Sequence, residues 1–162
     1  MTKKKDIPVS SYTVPFDEIT KESLDVVGGK NAHLGEVINR INVPIPDGFA
    51  VTAFAYIRFM EHNSLLEKVH KMLSELQIDN MEQLNKVSKE IQDMVSESEL
   101  PEDLHDDIKK AVETLKLKAG DKLRVSVRSS ALHEDGDFSF AGQYSTFLNV
   151  LLEVVPQKYK EL

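Results

Sequence analysis

Residues 125–150 read VSVRSSALHEDGDFSFAGQYSTFLNV, and the pattern at their two ends decides the fold. Leu123, Val125 and Val127 alternate with Arg124, Ser126 and Arg128, the two-residue period of a strand with one apolar and one polar face. Gly120-Asp121 supplies the turn into that strand, and Thr146 to Val150 has strand character too. The stretch between them is therefore expected to be a long connecting loop. Arg128 closes the first strand and is followed directly by Ser129-Ser130. An arginine fixed on a strand can fork onto phosphate oxygens. An ion pair with an internal carboxylate explains a lone arginine equally well, and the sequence leaves both open.

The loop carries Glu134, Asp135 and Asp137, then Phe138-Ser139-Phe140-Ala141-Gly142-Gln143. Carboxylates and phosphates are the oxygen ligands Mg²⁺ takes, but consecutive acids in a glycine-containing loop are more often solvated. Ala141-Gly142-Gln143 suits a flap where the main chain must approach a ligand, with Phe138 and Phe140 as its anchors or as core.

A second glycine segment lies far upstream, Val27-Gly28-Gly29-Lys30. Two glycines before a helix N-terminus offer free N–H groups and the positive end of the helix dipole to an anion. Asn31 follows Lys30 where a P-loop needs Ser or Thr, so this is not a P-loop. A bare triplet of this kind is usually a surface turn.

Around it, residues 12–16 (YTVPF) are expected to be extended, with Pro15 at an edge. Leu34, Val37, Ile38 and Ile41 have the spacing of one helix face, and Gly35 within that pattern implies close packing against a neighbour. The prolines of Val43-Pro44-Ile45-Pro46 end that helix, and Pro46-Asp47-Gly48 leads into a short strand, Phe49-Ala50-Val51. Thr52 caps a helix through Phe54, Ile57 and Phe59.

Three apolar stripes follow. Leu65, Leu66, Val69, Met72, Leu73 and Leu76 form the first, and Met81, Leu84, Val87, Ile91 and Met94 the second, with Asp79 or Asn80 as its cap. The third starts at Pro101 and carries Leu104, Ile108, Val112 and Leu115. Each helix has one such face, so packing of the three on one another is the expectation, and residues 64–118 are treated as a helical insert.

Composition narrows the function classes. The 162-residue chain carries a net charge of -7, which argues against a nucleic-acid-binding surface, and Lys3-Lys4-Lys5 is too short a run to alter that. It contains no cysteine, so disulfides, Cys-ligated zinc and a thiol nucleophile are excluded. No apolar run approaches the length of a membrane span and no apolar signal core follows Met1, which makes a reducing cytoplasm the expected compartment. The histidines at 33, 62, 70, 105 and 133 show no metal-ligand spacing, and His133 lies in the flap. Residues 1–11 are expected to be a disordered N-terminus. The helix begun at Pro156 stops after little more than a turn, an ending that looks cut.

Taken in order, FDEI at Phe16–Ile19, VGGKNAHLGE at Val27–Glu36, VPIPDGFAVT at Val43–Thr52, VRSSALHED and SFAGQYSTFLNV resemble the N-terminal ATP-binding region of phosphoenolpyruvate synthase. Pyruvate phosphate dikinase and rifampin phosphotransferase share that region. The resemblance implies an α/β (α+β) fold over residues 12–162, the first subdomain of an ATP-grasp-like site with a small, mainly antiparallel sheet. It also implies ATP with Mg²⁺ as cofactors and transfer of the β-phosphoryl group to a histidine on another domain, then to pyruvate or another acceptor. By motif match, Lys30 and Arg128 correspond to the family's phosphate-binding cations and Gly142 to its glycine loop. Gly28, Gly29, Ser129, Ser130 and Gln143 neighbour these positions. The flap is shorter than the usual family loop and lacks its proline. No residue here matches the family's Mg²⁺-binding acids or its phosphohistidine, so no catalytic or metal residue is assigned, and the chain alone is expected to be inactive. Three other readings remain: a standalone non-catalytic nucleotide- or partner-binding protein of the same fold, part of a rifampin phosphotransferase-like enzyme, and an interaction module centred on residues 64–118.

Overall fold

Two antiparallel ribbons, each of two strands, carry the fold in the computed structural model, which describes residues 7–8, 10–41, 45–77, 79–130 and 145–162. β1 (Thr13–Pro15) pairs with β2 (Phe49–Val51), with Val14 opposite Ala50. β3 (Arg124–Arg128) pairs with β4 (Thr146–Leu151), with Arg128 opposite Thr146. One small sheet was expected, and two ribbons are found. Pro15 has no N–H to extend a ladder, and a 3-10 helix over Phe16–Glu18 ends β1 at once. The mixed α+β class and the antiparallel pairing stand.

Between the ribbons run α1 (Leu24–Val27), α2 (Gly29–Arg40), α3 (Ala53–His62), α4 (Leu65–Ser74), α5 (Met81–Glu97) and α6 (Glu102–Ala119), and α7 (Val155–Lys160) follows β4. Local signals hold well. Thr52 Oγ1 accepts the Ala55 N–H at 3.2 Å and donates to the Ser11 carbonyl at 2.6 Å, so it caps α3 and ties it to the chain before β1. Asn80 Oδ1 caps α5 by accepting from Gln83 N at 3.0 Å. Such caps contribute about 1 kcal/mol each.

Each ribbon has its own core. Val14, Ile19, Val27, Ala32 and Ala50 bury the β1–β2 side. Phe59, Met60, Leu65, Leu104, Ile108, Val112, Val150 and Val155 form the larger cluster, against which Leu123, Val125 and Val127 of the β3 face pack. The alternation read from the sequence is therefore real, but β3 is only half-buried and its polar face is open. Leu148 and Asn149 face the single residue Ser126, a β-bulge in which Asn149 adopts φ 58°.

Three apolar faces differ from expectation. In α2 the buried residues are Gly29, Ala32 and Gly35, while Ile41 is 51% exposed and Leu34, Val37 and Ile38 are only half-covered. The small-residue face wins because the backbone of the Ile19 segment comes very close. A Cβ built on Gly35 would lie 2.7 Å from Ile19 Cβ. Asn39 secures the same approach by donating to the Ile19 carbonyl at 2.8 Å. Of the three later stripes, two also depart from expectation. All four stripe residues of α6 are buried, but α4 buries only Leu65 and α5 buries none.

A polar cluster fastens β1 to α6. Tyr12 donates to Asp103 Oδ2 at 2.8 Å, and Arg58 Nε donates to the same oxygen at 3.1 Å. Thr13 donates to Asp107 at 2.7 Å. The Tyr12 hydroxyl, then the Arg58 guanidinium, hold the Asp103 carboxyl below its usual range. A lowered folded pKa gives stability that is present above the unfolded value of about 3.9 and lost as pH falls through the folded value. The stability gap between the native chain and Tyr12→Phe should thus be open at neutral pH and close as pH falls below the ordinary carboxylate range. Because the cluster is exposed, the gap should not exceed about 1 kcal/mol. Thermal melts of both proteins across pH check this, and a gap that does not change with pH would refute it.

Candidate anion-binding site

The turn before α2 is built for glycine. Gly28 has φ 79° and ψ 164°, a conformation that strains any residue with a side chain. Gly29 is the first residue of α2 and is buried, and Lys30 follows in the first turn with its side chain exposed. Val27 and Ala32, on either side of the triplet, are both buried in the β1–β2 core. Apolar anchors at each end therefore pin the turn, and the lysine between them faces outward.

Arg128 ends β3 on its exposed face. Its guanidinium has no ion pair or hydrogen bond among the described residues, so the internal carboxylate partner that the sequence left open is not found there. Ser129 extends the ladder beyond Arg128, with N–H and hydroxyl each 3.4 Å from the Ser145 carbonyl, and this holds the two ends of the intervening segment together. Gly142 and Gln143 lie outside the described residues, as do His133, Glu134, Asp135 and Asp137.

Ser130 joins the two segments. Its hydroxyl donates to the Val27 carbonyl at 3.0 Å and accepts from the Asn31 N–H at 3.4 Å. These residues flank the Gly28–Lys30 triplet on both sides. Two extended residues span about 7 Å, so the Arg128 backbone sits within that distance of the Ser130 backbone, whose hydroxyl makes both bonds to the turn. Sequence reasoning weighed Ser130 only as a neighbour of Arg128 and missed Asn31, whose side-chain amide donates to the Val27 carbonyl at 2.9 Å. The available signal was that a glycine at the N-cap has no side-chain oxygen, so the cap must come from elsewhere.

The arrangement can bind a polyanion: a glycine turn, a helix N-terminus and two exposed cations on segments tied together. Among the described residues no group of three or more His, Cys, Asp or Glu could hold a metal ion. An open groove of about 380 Å³ between β4 and α7 is lined by Arg124, Leu148, Leu151 and Lys158 but by neither Lys30 nor Arg128. No helix among the described residues is long and apolar enough to cross a membrane.

Comparison with known proteins bears on what the anion is. The family model described as the pyruvate phosphate dikinase AMP/ATP-binding domain matches residues 24–161, a span that includes both Lys30 and Arg128. The chain is 41% identical over 143 residues to a probable phosphoenolpyruvate synthase of Staphylothermus marinus, covering 86% of this chain and 17% of that protein. It is 42% identical over 143 residues to the phosphoenolpyruvate synthase of Pseudomonas aeruginosa, covering 86% of this chain and 18% of the relative. The Aquifex aeolicus phosphoenolpyruvate synthase is 42% identical over 144 residues, 84% of this chain and 16% of its own length. The chain thus spans less than a fifth of the length of these curated relatives.

Proposed function

Because the chain belongs to the pyruvate phosphate dikinase AMP/ATP-binding domain family, we propose that Lys30 and Arg128 hold the phosphate chain of ATP in a phosphoenolpyruvate synthase-like phosphotransferase. Residues 12–162 then form the N-terminal part of an ATP-grasp-like domain, working in the cytoplasm, with Gly142 and Gln143 in the loop that covers the phosphates. The parent enzyme moves the β-phosphoryl group to a histidine on another domain and from there to pyruvate or another acceptor. The observation that supports this best is the pair of hydrogen bonds from Ser130 to Val27 and from Asn31 to Ser130, which brings the two cation-bearing segments together.

In this reading the site residues divide the binding between them. The α2 N-terminus and Lys30 offer a positive end and a point charge, and Arg128 offers a planar fork of donors. Mg²⁺, when bound to the nucleotide, neutralises phosphate charge. Among the described residues no cluster of three or more His, Cys, Asp or Glu is present to hold it. In-line phosphoryl transfer needs a positioned acceptor as well, which in this reading is the histidine of another domain.

Calorimetric titration with ATP, ADP, AMP and adenosine tests the reading. Affinity should rise with the number of phosphates, and AMP should not be released from ATP and pyruvate by the chain alone. Adenosine binding as tightly as ATP would overturn the assignment of the two cations.

A further inference from the structure

We propose that Ser130 is a positioning residue for the nucleotide site. It caps α2 from a distance and fixes the Gly28–Lys30 turn against Arg128, and it is not itself a phosphate ligand. The inference rests on the reading of Lys30 and Arg128 as phosphate-binding cations.

The starting point is what Gly28 lacks. Most helices satisfy the N–H of their second or third residue with a side-chain oxygen at the N-cap. Gly28 occupies that position in α2 and makes no side-chain cap bond. The conformation at φ 79° demands glycine, so the local sequence cannot supply the oxygen. Ser130 supplies it from 99 residues away, at 3.4 Å from the N–H of Asn31, the third residue of the helix.

The proton count decides the role. A serine hydroxyl has a single proton to donate. That proton goes to the Val27 carbonyl at 3.0 Å, the firmer of the two bonds. An ionised phosphate oxygen accepts and does not donate, so the Ser130 hydroxyl has no proton to offer it while this bond stands. The Val27 carbonyl also receives the Asn31 side-chain amide at 2.9 Å. Val27, Asn31 and Ser130 therefore form a closed polar knot directly behind the turn. Lys30 is next in sequence to one member, and Arg128 is two residues from another. One hydroxyl thus sets the spacing of two cations that belong to segments about a hundred residues apart.

Ser130→Ala should lower ATP affinity about tenfold through lost preorganisation, whereas Ser130→Thr, which keeps the hydroxyl, should stay within about threefold of the native chain. In a Lys30→Ala background the same Ser130→Ala change should cost less than about twofold, because there is no longer a second cation to position. A direct phosphate ligand would cost about the same in both backgrounds, and that result would overturn the proposal. A second readout needs no nucleotide. Amide hydrogen exchange at Asn31 should be at least about tenfold faster in Ser130→Ala, with the α6 core amides unchanged. Unaltered exchange at Asn31 would also overturn it. If Lys30→Ala and Arg128→Ala both leave ATP affinity unchanged, the phosphate reading fails, and exchange at Asn31 still decides whether Ser130 is the cap.

Discussion

Ile108→Ala should lower the unfolding free energy by about 2–5 kcal/mol, while Leu73→Ala on a neighbouring helix should cost less than about 0.5 kcal/mol. Both residues belong to regular apolar stripes of similar appearance in the sequence. Ile108 is fully buried in the larger core, which it shares with Phe59, Leu65, Leu104 and Val112, and removing its side chain leaves a cavity that the core can only partly fill. Leu73 is 51% exposed and loses little contact on truncation. Denaturant titration of the two variants, with slopes equal to that of the native chain, gives the comparison directly. Equal losses would mean that α4 is packed as tightly as α6. The contrast also bears on the interaction-module reading, because α6 is part of the core that supports β3 and Arg128.

That pair shows where sequence reading stops. Periodicity reports that a helix has one apolar face, and says nothing of which neighbour covers it. The α6 stripe was legible because all of it is buried. The α4 and α5 stripes have the same spacing but meet far less protein. In α2 the aliphatic stripe drew attention, yet the deciding residue was Gly35, whose missing Cβ allows the Ile19 segment to pack at backbone distance. The glycine was legible as a sign of close packing, and its partner was not. Local signals fared best. The Thr52 and Asn80 caps act within three residues, and the β3 alternation is a property of five consecutive positions. The link from Ser130 to the α2 turn crosses about a hundred residues, and no local pattern encodes it. Motif order suggested that the two cations share a ligand, but the hydroxyl that joins their segments could only be seen in three dimensions.

Lys30→Ala and Arg128→Ala should each weaken ATP binding roughly tenfold to a hundredfold. A charge-assisted hydrogen bond contributes about 1.5–3 kcal/mol, and about 1.4 kcal/mol is a factor of ten in affinity. The structure makes Arg128 the cleaner test. Its guanidinium is exposed and has no hydrogen-bonded or ion-paired partner among the described residues, so truncation strands no buried carboxylate among them and should leave the melting temperature nearly unchanged. Arg128→Lys should also bind ATP more weakly, because the charge stays while the planar fork is lost. Lys30 acts as a point charge, so Lys30→Arg should be tolerated better than Lys30→Ala. AMP, with a single phosphate, should lose less affinity than ATP in every variant. Added salt should shrink the difference between native and mutant chains, since both cations lie at the surface. Calorimetric titration with ATP and AMP at two salt concentrations, with circular dichroism to confirm the fold, separates these terms. Unchanged ATP affinity in both alanine variants would mean that the cations serve solvent or structure, and the phosphate site would then have to be built from other residues.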